Sequence, residues 1–337
     1  MYNDLYGAAL KVRIPSVTVK RMTSPRTRID RTGLGLAALG RPAYINLGRD
    51  GALPADRSVP ALRAATHEVL DDAYLAGVRQ VDVARSYGLA EDFLASWLRE
   101  RGHRDVLVSS KWGYAYVGDW RLDAEVHEAK EHSLGRFRTQ WTESTGLLGA
   151  AISLYQVHSL TPDSPLFTDE PLLEALAELA ASGVRVGFST SGPAQADVVR
   201  RASALEVAGQ RVFTAVQSTW NVLEPSVGEA LAEVREAGFT VLLKETLANG
   251  RLVVDPPEQV RAAAAAHGVG PDAIAVAAAL AQPWADTVLI GPSSRAQLAS
   301  NLDGTKAALS GAELAALAEP AENAEAYWAR RSSLQWR

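Results

Sequence analysis

Asp82 and Tyr87 stand five residues apart in VDVARSYG, residues 81–88, with Gly88 directly after the phenol. An acid at a strand end and a tyrosine on the next loop act on one proton only if the fold joins them. Phenols ionise near pH 10, so a tyrosine that moves a proton near neutrality needs a cation beside it. Two other residues have suitable types: Lys111, ending DVLVSSK (105–111), and His158, ending ISLYQVH (152–158). Lys111 beside Tyr87 would favour the phenolate and is expected to lower its pKa. Asp82 would pair with Lys111 and offset the burial of the ammonium. His158 would donate to a substrate carbonyl or relay a proton. The set has no serine or cysteine nucleophile and no metal-ligand spacing. It suits polarising a carbonyl and protonating the alkoxide that results.

These groups meet only if the strands that carry them end on one face. Short β-rich runs alternate with helical runs along the chain: LGLAAL (34–39), RQVDV (79–83), DVLVSSK, ISLYQVH, VRVGFST (184–190), FTAVQST (213–219), FTVLLKE (239–245) and DTVLIG (286–291). Most are continuous apolar runs, as expected of strands buried on both faces. Between them lie amphipathic stretches; in residues 60–77, Leu62, Ala65, Val69, Leu70 and Ala73 share one helical face. Gly77, Gly183 and Gly238 each stand after a helical run and just before a strand, the place of a C′ glycine. Eight strands with intervening helices predict a single-domain α/β fold, the (β/α)8 barrel. The rival is an open doubly wound sheet, which carries a GxGxxG turn after its first strand. GLGLAALG (33–40) lacks that spacing, and a loop of about twenty residues follows it. In a barrel, chemistry sits at the C-terminal strand ends, where Asp82, Lys111 and His158 fall on strands two, three and four.

With those residues in place, VDVARSYG, SSKWG (109–113) and LYQVHS (154–159) resemble the signature segments of the aldo-keto reductase superfamily. The resemblance runs from about Gly33 to about Asn301. It implies a barrel that reduces aldehydes and ketones by hydride transfer from NADPH or NADH. Asp82, Tyr87, Lys111 and His158 match the family's catalytic tetrad, with Tyr87 the acid in reduction and the base in oxidation. GFSTSG (187–192) resembles the segment whose Ser-Asn pair holds the nicotinamide carboxamide; Ser189 matches and Thr190 replaces the asparagine. Gln217 matches a glutamine that contacts the same group. VLIGPSSRAQLASN (288–301) resembles the adenosine-binding segment and offers Gly291, Ser293, Ser294, Gln297 and Asn301. Arg295 offers a planar fork for a 2′-phosphate. Family habit makes NADPH the expected cofactor and NADH the alternative. KETLANGRL (244–252) departs from the pattern: Lys244 and Glu245 replace an aromatic residue and a serine, and Lys244 is expected to meet the pyrophosphate. Trp112 and Trp220 are expected to line the substrate site, for an apolar or sugar-like ligand. Two other readings remain within the superfamily: a redox-sensing or regulatory NADPH-binding subunit with slow turnover, and an NAD-dependent aldose 1-dehydrogenase.

Composition narrows the rest. The 337 residues are 47% hydrophobic and 22% charged, enough for a large core. Net charge is −5 with dispersed basic residues, which gives no footprint for nucleic acid or anionic lipid. The absence of cysteine excludes disulfides and thiolate chemistry. No apolar run reaches spanning length and the amino terminus has no apolar signal-peptide core, so the expectation is a cytoplasmic enzyme of a small carbonyl or sugar substrate. Residues 1–22 are read as a peripheral segment before a barrel over 23–337, with Met22 a candidate native start. His67, His103, His127, His132 and His267 read as surface residues.

Overall fold

The computed structural model describes residues 26–336, so the segment 1–22, with Met22, lies outside the described residues. Eight parallel strands close a barrel in chain order: β1 (Thr32–Gly35), β2 (Gln80–Asp82), β3 (Leu107–Trp112), β4 (Ile152–Leu160), β5 (Arg185–Thr190), β6 (Ala215–Thr219), β7 (Thr240–Lys244) and β8 (Thr287–Ile290). β8 closes on β1 through Thr32–Val288, Gly33–Leu289 and Leu34–Ile290. The fold is the (β/α)8 barrel that the alternation predicts.

The strands follow the apolar runs except at the start, where β1 begins and ends earlier than expected. Leu36 to Gly40 turn out of the sheet, the N–H groups of Leu39 and Gly40 both donating to the Leu36 carbonyl at 3.1 and 3.0 Å. Gly33 is inside the strand because the wall is crowded: a Cβ there would come within 2.7 Å of the Leu289 side chain. Helix Val59–Leu75 buries Leu62, Val69, Leu70 and Ala73, and Ser58 caps it by accepting from the Ala61 N–H. Gly77, Gly183 and Gly238 all take positive φ, the conformation that ends a helix before a strand.

Three features escape the periodic pattern. Tyr114–Tyr116 pairs antiparallel with Glu128–Lys130 in a ribbon after β3. A second ribbon joins Glu206–Val207 to Gln210–Arg211. Helices Gly311–Ala318 and Ala324–Ser332 follow the barrel and pack Leu317, Tyr327 and Trp328 over Leu252, Val260 and Ile274 in a core of their own. Among the described residues, no single helix is long and apolar enough to cross a membrane.

Candidate functional site

Strand register does the first part of the assembly. Asp82 ends β2 opposite Ser109 of β3, and Lys111, two residues on, shares the barrel-facing side. The Lys111 ammonium donates to the Asp82 carboxylate, to the Val83 carbonyl at 3.1 Å and to the Tyr87 hydroxyl at 3.3 Å. The other Asp82 oxygen accepts from Ser109 Oγ at 2.6 Å and from Gln217 Nε2 at 2.9 Å. A buried ion pair survives only when its remaining lone pairs are met, and here they are. His158, on β4, completes the set, its ring edge-on to Tyr87 with centroids 5.5 Å apart. The four residues expected to act together are together.

Two glycines and a buried glutamate hold the Tyr87 loop. Gly88 takes φ 61°, and a Cβ there would lie 2.4 Å from the Gly40 carbonyl; one on Gly40 would lie 2.3 Å from the Tyr87 carbonyl. The chain after β1 can therefore run directly against Tyr87, joined by Leu89 N–H to the Gly40 carbonyl at 2.7 Å. Arg85 anchors the other side, donating to Glu91 at 2.7 Å and Glu143 at 3.0 Å. Glu91 is buried and also accepts from Ser110 and Ser144, at 2.5 and 2.8 Å.

Electrostatics depart from expectation at Tyr87. Burial and the Asp82 carboxylate raise the phenol above its ordinary range, and Arg41 is the cation that opposes them. Lys111, which touches the phenol, is paired with that same Asp82 carboxylate. Arg41 lies 5.2 Å from the centre of the Tyr87 ring and is itself held by Glu128 at 2.7 Å. Burial, then Lys111, pushes His158 well below 6.5, so its imidazole is neutral. Its carbonyl meets His132 Nε2 at 2.8 Å, and His132 Nδ1 meets Ser164 Oγ at 2.7 Å. His67, His127 and His132 are buried rather than at the surface. Local partners make this tolerable: His67 meets Phe93 O and Ser96 Oγ, and His127 stacks on Trp336.

A cavity of ≈ 380 Å³ opens above these groups, within the range of roughly 300–1,000 Å³ usual for small-molecule sites. It runs from Asp82, Tyr87 and His158 past the end of β7 to Gly291, Ser293, Gln297 and Asn301. At the end of β7, Lys244 donates to Thr219 Oγ1 at 2.9 Å and lies 3.6 Å from Glu245. Glu245 is held at φ 54° and accepts from Arg331 Nε and Nη2, at 2.9 and 2.5 Å. Burial lowers Lys244 to about 8. Burial alone would raise Glu245, yet Arg331 and Lys244 outweigh it and hold the carboxyl at about 2. Over the catalytic end, Arg41 sits between Tyr87, Tyr44 and Trp336.

Other expected contacts fall elsewhere. Trp112 packs in the core against Phe137, and Trp220 against Trp284; neither lines the cavity. Each follows a barrel-facing residue by one position, so the strand period turns it outward toward the helices. Ser189 and Thr190 also lie off the cavity: Ser189 Oγ accepts from the Ser159 N–H at 2.8 Å and Thr190 bonds Ser218 at 2.7 Å. Gln217 lines the cavity, but its amide N–H serves Asp82. Ser294 caps helix Arg295–Asp303, and Arg295 turns to Asp72 on the protein surface. Sequence reasoning missed Arg41, Tyr44, Glu128, Asp272, Arg331 and Trp336, all of which line the cavity. The signal for Arg41 was its place, just past β1 on the functional face; the others left none in periodicity or spacing.

Residues 53–322 match the model of the Aldo/keto reductase family. Protein tas of Escherichia coli is 25% identical over 309 residues, covering 73% of this chain and 86% of that protein. Aldo-keto reductase str7 of Strobilurus tenacellus is 24% identical over 288 residues, covering 77% of this chain and 81% of that one. Among solved structures, the holo form of an aldo-keto reductase from Bacillus halodurans has a TM-score of 0.63 at 21% identity. That match covers 87% of this chain and 93% of the other, and it shows likeness of fold.

Proposed function

This chain belongs to the aldo/keto reductase family, whose activity is NAD(P)H-dependent oxidoreduction, and within it we propose that Tyr87, His158, Lys111 and Asp82 interconvert a small carbonyl or sugar substrate and its alcohol. The observation that carries the proposal is the Tyr87 hydroxyl 3.3 Å from Lys111, with neutral His158 beside it at the cavity floor.

The cavity residues fit a dinucleotide. Asn301 Oδ1, on helix Arg295–Asp303, is buried without a hydrogen-bond partner, and an adenine amine would satisfy it. A Cβ added to Gly291 would meet nothing within 4 Å, so backbone there is open to close approach. Ser293, Gln297 and Asn301 would hold the adenosine, and Lys244 would face the negative charge between the two halves. A bound nicotinamide supplies the hydride. The chain's own residues do the rest: His158 donates to the carbonyl oxygen, Tyr87 transfers the proton, and Lys111, fixed by Asp82, orients the phenol.

Tyr87→Phe tests this reading. Turnover on a panel of aldehydes, ketones and sugars should fall by about two decades or more, with cofactor-induced fluorescence quenching retained. Unchanged turnover would remove Tyr87 from the chemistry. A parent chain that binds the dinucleotide but turns over no member of the panel would point to the regulatory subunit instead.

A further inference from the structure

The part of the cavity lined by Gly291, Ser293, Gln297 and Asn301 bears on the difference between the two nicotinamide dinucleotides, a single phosphate on the adenosine ribose. Proteins that accept that dianion supply a guanidinium or an ammonium. Four cations line the cavity among the described residues: Arg41, Arg49, Lys244 and Arg331. None comes from residues 288–301 or from helix Pro271–Leu280. Arg41 is bound to Glu128, Lys244 and Arg331 face Glu245, and Arg49 donates to the carbonyls of Ala38 and Pro42.

Arg295 is the one cation within 288–301, and it does not line the cavity. Its Nε and Nη2 fork onto Asp72 at 2.5 and 3.0 Å, on helix Val59–Leu75. An exposed ion pair is a weak tether, so this alone would not decide the matter. The start of helix Arg295–Asp303 adds a second observation. Ser293 N–H donates to Gln297 Oε1 at 2.8 Å and Gln297 N–H to Ser294 Oγ at 3.3 Å, so two of the backbone donors a phosphate would use are already engaged. The third is Asp272, a buried carboxylate that lines the same cavity and accepts from Ser300 and Asn301 at 2.9 and 2.7 Å. A carboxylate beside an adenosine ribose accepts from its hydroxyls and repels a phosphate placed there.

We propose that this part of the cavity selects NADH over NADPH, through Asp272 and the lack of a facing cation, with Arg295 playing no role. The inference rests on the dinucleotide reading above and runs against the NADPH expectation from family habit.

The test is a titration of the full chain with NADH and with NADPH, following quenching of its eight tryptophans. The NADH dissociation constant should be lower by a factor of about ten or more. NADPH binding as tightly or more tightly overturns the selectivity and leaves the dinucleotide reading intact. Failure of both dinucleotides to bind overturns that reading, and the selectivity with it. Arg295→Ala should leave the ratio of the two constants within about twofold, as expected for a surface residue outside the site. A tenfold loss of NADPH affinity alone would make Arg295 the phosphate ligand and sink the proposal. Asp272→Asn should narrow the gap by about threefold or more; an unmoved gap removes Asp272 from selectivity.

Discussion

Tyr87 is held as a neutral phenol, and the direction of its shift sets the pH behaviour of the enzyme. Burial and Asp82 raise its pKa, so the acid form that the proposed reduction draws on persists through neutral and mildly alkaline solution. His158 is pushed the other way and stays neutral over the same range. Reductive kcat should therefore be flat from about pH 6.5 to 9. Oxidative kcat, which needs the phenolate, should climb by about tenfold per pH unit there. A reductive rate that fell between pH 7 and 8 would show a phenol ionising near neutrality. The identities of the four groups were legible because Asp82, Lys111 and His158 are distinctive types near strand ends and Tyr87 is a phenol on the loop that follows the first of those ends. The sign of the Tyr87 shift was not. It depends first on burial, then on the Asp82 carboxylate, and on Arg41, which arrives from a loop with no periodic pattern. Gln217 shows the same limit: its position could be read, while its bond to Asp82 follows from barrel closure.

The end of β7 and the last helix, Ala324–Ser332, are one element pair joined by charge. Arg331 reaches Glu245 across 86 residues of sequence, and Asn221 Nδ2 donates to Tyr327 OH at 3.0 Å beside it. Glu245→Gln would leave the partly buried Arg331 and Lys244 without a carboxylate. Unfolding free energy should fall by about 1.5–3 kcal/mol, read from urea denaturation. Adding Arg331→Met should return part of the loss, since a double-mutant cycle isolates the pair. Additive losses would show that the helix is held by its apolar contacts alone. In the sequence, Lys244 and Glu245 stood out only as departures from a family pattern. Charge complementarity between residues so far apart has no local signature, so their partner could not be named.

The barrel was legible because its strands are continuous apolar runs at a regular interval, and that pattern reports burial directly. The cavity was less so, because three separate parts build it: the barrel mouth, the chain after β1 and the chain after the last helix. Trp336 contributes from the extreme carboxyl end, against Tyr44 at 5.8 Å, over Arg41 and stacked on His127 at 4.4 Å. No periodic element contains it. Its contacts with Arg41 and Tyr44 tie it to the catalytic groups, while Gln297 and Asn301 line the cavity from helix Arg295–Asp303. Removing residues 334–337 should therefore separate two functions. Dinucleotide at about 100 times its dissociation constant should stabilise parent and truncated chains alike, by about 2.7 kcal/mol or roughly 5 °C in Tm. KM for carbonyl substrates should rise about tenfold in the truncated chain, because an aromatic wall and the cover over Arg41 are gone. If the truncation abolishes the dinucleotide-linked rise in Tm and spares KM, Trp336 belongs to the cofactor's side of the cavity.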